Sequence, residues 1–221
     1  MGKLVMCLDT ETGNSYLDEN GNLCLDDSMV YDLGLVIGDL NGNIIETMSF
    51  VNADIFLDKE IMSSAYFKDK IPQYWIEIKN GTRTLASFYN IKRIVYALMV
   101  KYDITEVYAY NVRFDFNSLG NTIRYLTSSK RRYFFKYGTM PHDIMKLGRE
   151  LAKEDEYIQF CKDNNYLTKN GRPQVKVETV ARFLYDENFD EEHTGLADTL
   201  VEYRILCDLI NKYSVDTRLW K

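Results

Sequence analysis

Apolar residues recur along this chain first with the period of a strand and later with that of a helix. Leu4-Val5-Met6-Cys7-Leu8 leads an apolar run that predicts a strand over residues 3–9. Residues 14–29 are polar and acidic, with a turn at Glu19-Asn20-Gly21-Asn22, and predict an exposed loop or small hairpin. Val30 to Ile37 reads as a second strand, Asn41-Gly42 as a tight turn and Ile44 to Val51 as a third strand. Three early strands joined by short turns predict an antiparallel meander.

The later chain changes period. Residues 53–89 are mixed, with helical stretches. Apolar residues at 88, 91, 94, 95, 98 and 99 form a helical stripe within 85–101. Glu106 to Tyr110 predicts a strand, and Asn111 to Asp115 breaks into a helix running to about Leu126. Tyr133 to Tyr137 reads as a strand, and a helix is expected from His142 through to Asp163. A turn at 168–173, a short helix over Val177 to Leu184, an acidic loop at 186–192 and a helix from His193 to Tyr213 complete the pattern. Strands in front, then strand and helix alternating, predict a single α/β domain over 1–221: a mixed β-sheet flanked by helices.

Composition narrows what such a domain can do. Against 27 Lys and Arg stand 33 Asp and Glu, a net charge of −6 over 221 residues. Nonspecific phosphate attraction usually demands a basic protein, so nucleic-acid contact here is expected to be local or carried by metal ions. The 17 Tyr and 11 Phe could stack on unpaired bases, although core and strand positions account for most such residues. Cys7, Cys24, Cys161 and Cys207 are scattered without a C-x-x-C pair, which predicts free thiols. With no N-terminal signal and no apolar run of membrane-spanning length, the expectation is a soluble cytoplasmic protein. Its Asn-, Tyr- and Lys-rich composition suits an AT-rich bacterial or phage genome.

Candidate chemistry begins at the end of the first strand. Asp9 and Glu11 are two residues apart, so in a strand they project from one face, with Gly13 as breaker. Two hard oxygen ligands side by side suit a divalent cation such as Mg²⁺ or Mn²⁺. Asp115 falls near the start of a helix, where an acid is favoured by the helix dipole alone. Asp198 stands inside the last helix, where Asp is a mediocre helix former, and His193 lies just ahead of it, where in isolation it reads as a surface loop residue.

Together these form an ordered series: a strand-borne D-x-E at 9–11, N-x-x-F-D at 111–115 and H-x-x-x-x-D at 193–198. The series resembles the DEDD exonuclease superfamily, the DnaQ-like 3′–5′ exonucleases with a ribonuclease-H-like fold. Asp32-Leu33-Gly34 and the Asn41-Gly42 turn strengthen the resemblance, which is closest over 3–51, 104–126 and 176–210. A His five residues before the final Asp, with Thr at 194, is similar to the His-bearing branch of that family. Two departures are a first motif reading D-T-E-T-G, where many members have a further Thr before the Gly, and the long loop at 14–29.

The resemblance implies that Asp9, Glu11, Asp115 and Asp198 hold two divalent ions, Mg²⁺ or Mn²⁺, and that His193 is the general base. It implies hydrolysis of single-stranded DNA or RNA from the 3′ end, with release of mononucleotides. The backbone at Thr12 and Gly13 and the ring of Phe114 are the expected contacts of the terminal nucleotide; for Phe114 a core role is equally open. Asp143 resembles a supporting acid of the family. Lys130-Arg131-Arg132 could hold upstream phosphates or be a solvated charge run. Any link to proofreading or replication would need a polymerase or other replication protein in trans. Two competing readings are an endonuclease or resolvase on a ribonuclease-H-like sheet, and a catalytically idle nucleic-acid-binding relative.

Overall fold

In the computed structural model, residues 2–220 are described except 18, 20–22, 128–129, 131–132, 187 and 191. Ten strand residues open the chain as β1 (Leu4–Gly13), followed by the short β2 (Tyr16–Leu17) and β3 (Leu23–Cys24), then β4 (Met29–Asp39) and β5 (Ile44–Asn52). The helices α1 (Ala53–Phe56), α2 (Lys59–Ser63) and α3 (Ile71–Asn80) lead to β6 (Thr84–Ala86), and α4 (Phe88–Lys101) to β7 (Glu106–Ala109). Then come α5 (Val112–Leu126), β8 (Met140–Asp143), α6 (Met145–Leu151), α7 (Asp155–Asp163), α8 (Val177–Leu184) and α9 (Gly195–Ile210).

Six strands form one sheet in the order β6-β5-β4-β1-β7-β8, and β2 pairs with β3 as a separate small hairpin. The expected meander is present, with β1 antiparallel to β4 and β4 antiparallel to β5. Both edges are parallel additions: β6 on β5, and β7 then β8 beside β1. The α/β expectation of a mixed sheet flanked by helices therefore holds.

Alternation along β1 divides the core. Met6 and Leu8 face a cluster with Phe88, Ile91, Val95 and Met99 of α4 and Leu119 and Ile123 of α5. Val5 and Cys7 face the opposite layer, with Leu147, Tyr157, Val180, Ile205 and Leu206 from α6 to α9. Burying these faces is the main favourable term, about 25 cal/mol per Å² of apolar surface removed from water. The four cysteines are free thiols. Among the described residues no helix is long and apolar enough to cross a membrane.

Several element boundaries differ from the periodicity. Tyr133 to Tyr137 is irregular chain rather than a strand. Consecutive Phe134 and Phe135 are both buried while Tyr133 and Tyr137 are exposed, which breaks the in–out alternation a strand needs. His142 and Asp143 close strand β8 instead of opening a helix, and the expected helix over 142–163 is two helices, α6 and α7. The 85–101 segment splits because Ser87 caps α4 through the Asn90 N–H, leaving Leu85 in β6. The last helix begins at Gly195, because His193 takes a positive φ of 52° that no helix accommodates, and it ends at Ile210 rather than Tyr213. Most of the predicted 19–22 turn, together with Arg131 and Arg132, lies outside the described residues; Lys130 is exposed.

Candidate active site

The site lies where three parallel strands end. β1 pairs with β7 only through Met6–Val107 and Cys7–Tyr108, so Asp9 to Gly13 run on past the end of β7. Beyond that point the chain turns through Asn111, in the left-handed conformation at φ 62°, into α5. Crevices at the carboxyl ends of parallel strands, where neighbouring connections diverge, are the usual ligand positions of such sheets.

Asp9 and Glu11 keep the face they share with Val5 and Cys7, the face covered by α9, and Asp198 enters from the first turn of that helix. One carboxylate oxygen from each of Asp9, Glu11 and Asp198 lies within 4.8 Å of the others. Three hard oxygen donors at that spacing suit an ion of the Mg²⁺ or Mn²⁺ type. Glu11 is 9 % exposed, Asp198 8 % and Asp9 half-buried, so the group is partly open to solvent.

What brings α9 so close is a pair of glycines. A Cβ on Gly34 of β4 would collide with the backbone of Gly195, and one on Gly195 would lie 2.7 Å from Gly34 N. Asp32, two residues before Gly34 and fully buried, accepts the Gly195 N–H at 2.8 Å. The same carboxylate accepts the Tyr74 hydroxyl at 2.7 Å and pairs with Arg83, which also bonds Glu77 at 2.7 Å. Burial pushes the Asp32 carboxyl up, and the Arg83 guanidinium opposes that shift.

Asp115 stands apart from the three-carboxylate group. It is 1 % exposed in the first turn of α5, and its Oδ1 accepts the Thr10 hydroxyl at 2.8 Å. Thr10 points to the α5 side of β1 because it alternates with Asp9 and Glu11. Burial pushes the Asp115 carboxyl up to about 7, held back by the Thr10 hydroxyl and by backbone amides. Asp143, at the end of β8, supports this turn: its Oδ1 accepts the N–H of Asn111 at 3.0 Å and of Met145 at 3.1 Å.

His193 sits two residues ahead of α9 with its ring stacked on Phe67, centroids 4.2 Å apart and planes 11° from parallel. Burial, then the nearby Lys70 charge, lowers its pKa below the usual 6.5. Thr12 is half-buried. Gly13 packs against α2, where an added Cβ would lie 3.0 Å from Ile61 Cγ2; the close approach that Gly13 allows here is to protein. Phe114 is half-buried and lines a cavity of about 480 Å³ with Leu25, Asp26, Asn117 and Asn121.

Thr10 and Glu202 belong to this constellation and do not stand out in the sequence motifs. Glu202 is 3 % exposed, one turn after Asp198, and its Oε2 accepts the Tyr110 N–H at 2.9 Å. Burial, with the charges of Asp9, Asp115 and Asp198, holds its pKa well above the ordinary carboxylate range. Its one signal in the sequence is an acid four residues after Asp198, on the helix face turned to the sheet.

No protein-family model and no curated protein sequence matches the chain. Solved structures do match its fold. Exonuclease I from Methylocaldum szegediense superposes with a TM-score of 0.61 at 15 % identity, over 96 % of this chain and 41 % of that one. A full-length 3′-exonuclease gives 0.58 at 10 % identity, over 96 % of this chain and 61 % of that one. The zinc-bound E. coli exonuclease I–single-stranded DNA complex gives 0.53 at 12 % identity, over 96 % of this chain and 41 % of that one. The chain thus spans between two fifths and three fifths of these proteins' lengths. Its fold is the ribonuclease-H-like fold of the exonuclease structures.

Proposed function

We propose that this chain is a single metal-dependent 3′–5′ exonuclease domain acting on single-stranded DNA or RNA, of the His-bearing DEDD type. The observation that carries the reading is the convergence of Asp9, Glu11 and Asp198 within 4.8 Å at the end of β1. The motif order, the fold shared with exonuclease I and the buried Asp115 across β1 support it.

Asp9, Glu11 and Asp198 would hold one divalent ion between them, and Asp115 would complete the set for a second. Bound Mg²⁺ or Mn²⁺ supplies a Lewis acid at the scissile phosphate and a water acidic enough to deprotonate near neutral pH. The carboxylates fix that charge in place and balance it, which lets an acidic protein bind a polyanion. His193 takes the proton of the attacking water, and its lowered pKa keeps it a free base at pH 7. The Phe67 ring fixes the imidazole plane. The Thr12–Gly13 backbone and Phe114 would border the terminal nucleotide. Asp143 and Glu202 hold the chain entering α5, through Asn111 and Tyr110, so that Asp115 is presented from a fixed turn.

The test is Mg²⁺-dependent cleavage of a single-stranded oligonucleotide by wild type and by Asp9→Ala. The wild type should release mononucleotides, and Asp9→Ala should be nearly inactive with an unchanged circular dichroism spectrum. Full activity of folded Asp9→Ala would overturn the assignment.

A further inference from the structure

The first turns of α5 carry more than Asp115. Phe116 and Asn117, which line the cavity beside Phe114, also line a second cavity of about 460 Å³ with Leu119, Tyr133, Tyr137 and Trp220. Sharing those two residues, the cavities adjoin as a groove along α5, the helix whose first turn carries Asp115.

The floor of its outer half is packed protein. Phe134 and Phe135 are buried against the core, edge to face with centroids 5.0 Å apart, and Phe116 lies 4.9 Å from Phe135. Its walls are different. Tyr137 is 92 % exposed, Tyr133 67 % and Trp220 53 %, three large rings held at the surface around one depression. Single exposed aromatics are ordinary, but a cluster of them in a groove marks a binding surface. The chain that carries them is anchored, with Lys92 Nζ bonding the Tyr133 carbonyl at 2.7 Å and the Leu219 N–H bonding the Pro141 carbonyl at 2.8 Å, and the Trp220 ring meets Phe116 edge-on at 6.3 Å.

We propose that this groove is a stacking track for the unpaired bases of single-stranded nucleic acid upstream of the nucleotide being removed. The inference rests on the nuclease reading and gives that site a substrate path. Every base has a π-face, so Tyr137, Tyr133 and Trp220 can stack bases without reading sequence. Lys136 in the groove wall and Arg113, exposed on the first turn of α5, add positive charge for the accompanying phosphates in an otherwise acidic protein. Asn117 provides an amide at the junction of the two cavities. The occupant is a strand rather than a folded partner because the inner cavity is bordered by Phe114, next to Asp115 in the chain, and the outer rings and Lys136 offer stacking faces and charge suited to successive nucleotides.

The test uses fluorescein-labelled oligo-dT of two and of twelve nucleotides, with binding read by anisotropy in EDTA so that no cleavage occurs. The wild type should bind the longer strand more tightly. Tyr137→Ala and Trp220→Ala should each weaken it by about fivefold or more, the low end for loss of a stacked base, and their combination by more. Binding of the dinucleotide should not move, and Tyr137→Phe should retain wild-type affinity. In a Trp75→Phe background, the longer strand should quench the remaining Trp220 emission. Unchanged affinity of the Tyr137→Ala/Trp220→Ala double variant would overturn the track. So would a wild-type dimer that Trp220→Ala dissociates while DNA affinity stays constant. If the wild type cleaves nothing in Mg²⁺ but the ring-dependent binding persists, the nuclease reading fails and the strand-binding groove stands.

Discussion

The buried carboxylate of Asp32 accepts the N–H of Gly195 at 2.8 Å, tying the central sheet to the first residue of the last helix. One turn further on, that helix delivers Asp198 to Asp9 and Glu11. A residue outside the carboxylate group thus sets the position of one of its members.

Two changes test this link. Gly34→Ala should push α9 off the sheet, costing about 1–3 kcal/mol of stability as an overpacked contact and lowering cleavage out of proportion to the lost stability. Arg83→Met leaves the Asp32 charge buried without its cation and should cost about 3–5 kcal/mol. Denaturant midpoints at an unchanged slope measure both.

The buried acids predict a pH dependence of the metal-free protein. Asp115 and Glu202 have pKa values raised in the folded state, so the fold binds protons more tightly than the unfolded chain. Their stabilising protonation is complete below the ordinary carboxylate range, near ~4, and is lost for Asp115 as pH rises through about 7. In EDTA the melting temperature should fall from pH 5 to pH 8, and Asp115→Asn should flatten that fall. Added Mg²⁺ or Mn²⁺ should raise the melting temperature more at pH 8, in a concentration-dependent way.

His193 predicts the acid limb of the rate profile. In the proposed mechanism activity requires the free base, and burial with Lys70 lowers the pKa, so the limb should lie below pH 6.5. Lys70→Gln removes the second of those causes and should move the limb to higher pH. His193→Ala should be slow at neutral pH, by about 10²–10⁴-fold, and should recover partly at high pH as hydroxide replaces the base.

How much of this could be read from the residues alone depended on sequence distance. The meander and the stripe of α4 came from period, and the shared face of Asp9 and Glu11 came from alternation, all local patterns. Strands β6 and β8 are only three and four residues long and escaped that logic; β8 in particular carries His142-Asp143, which look like a helix start. The Gly34–Gly195 contact, the Thr10–Asp115 bond and the Glu202–Tyr110 bond join distant segments, and no periodicity announces them. Thr10 read as a spacer between two acids because its own partner comes from the other side of the strand.

The most direct test is incubation of 5′-labelled single-stranded DNA and RNA of one sequence with the protein and Mg²⁺ or Mn²⁺. A ladder shortening stepwise from the 3′ end, absent in EDTA and absent with Asp198→Ala, is the predicted result. Internal cuts that leave the 3′ end intact, or a ladder that survives in Asp198→Ala, would contradict the account.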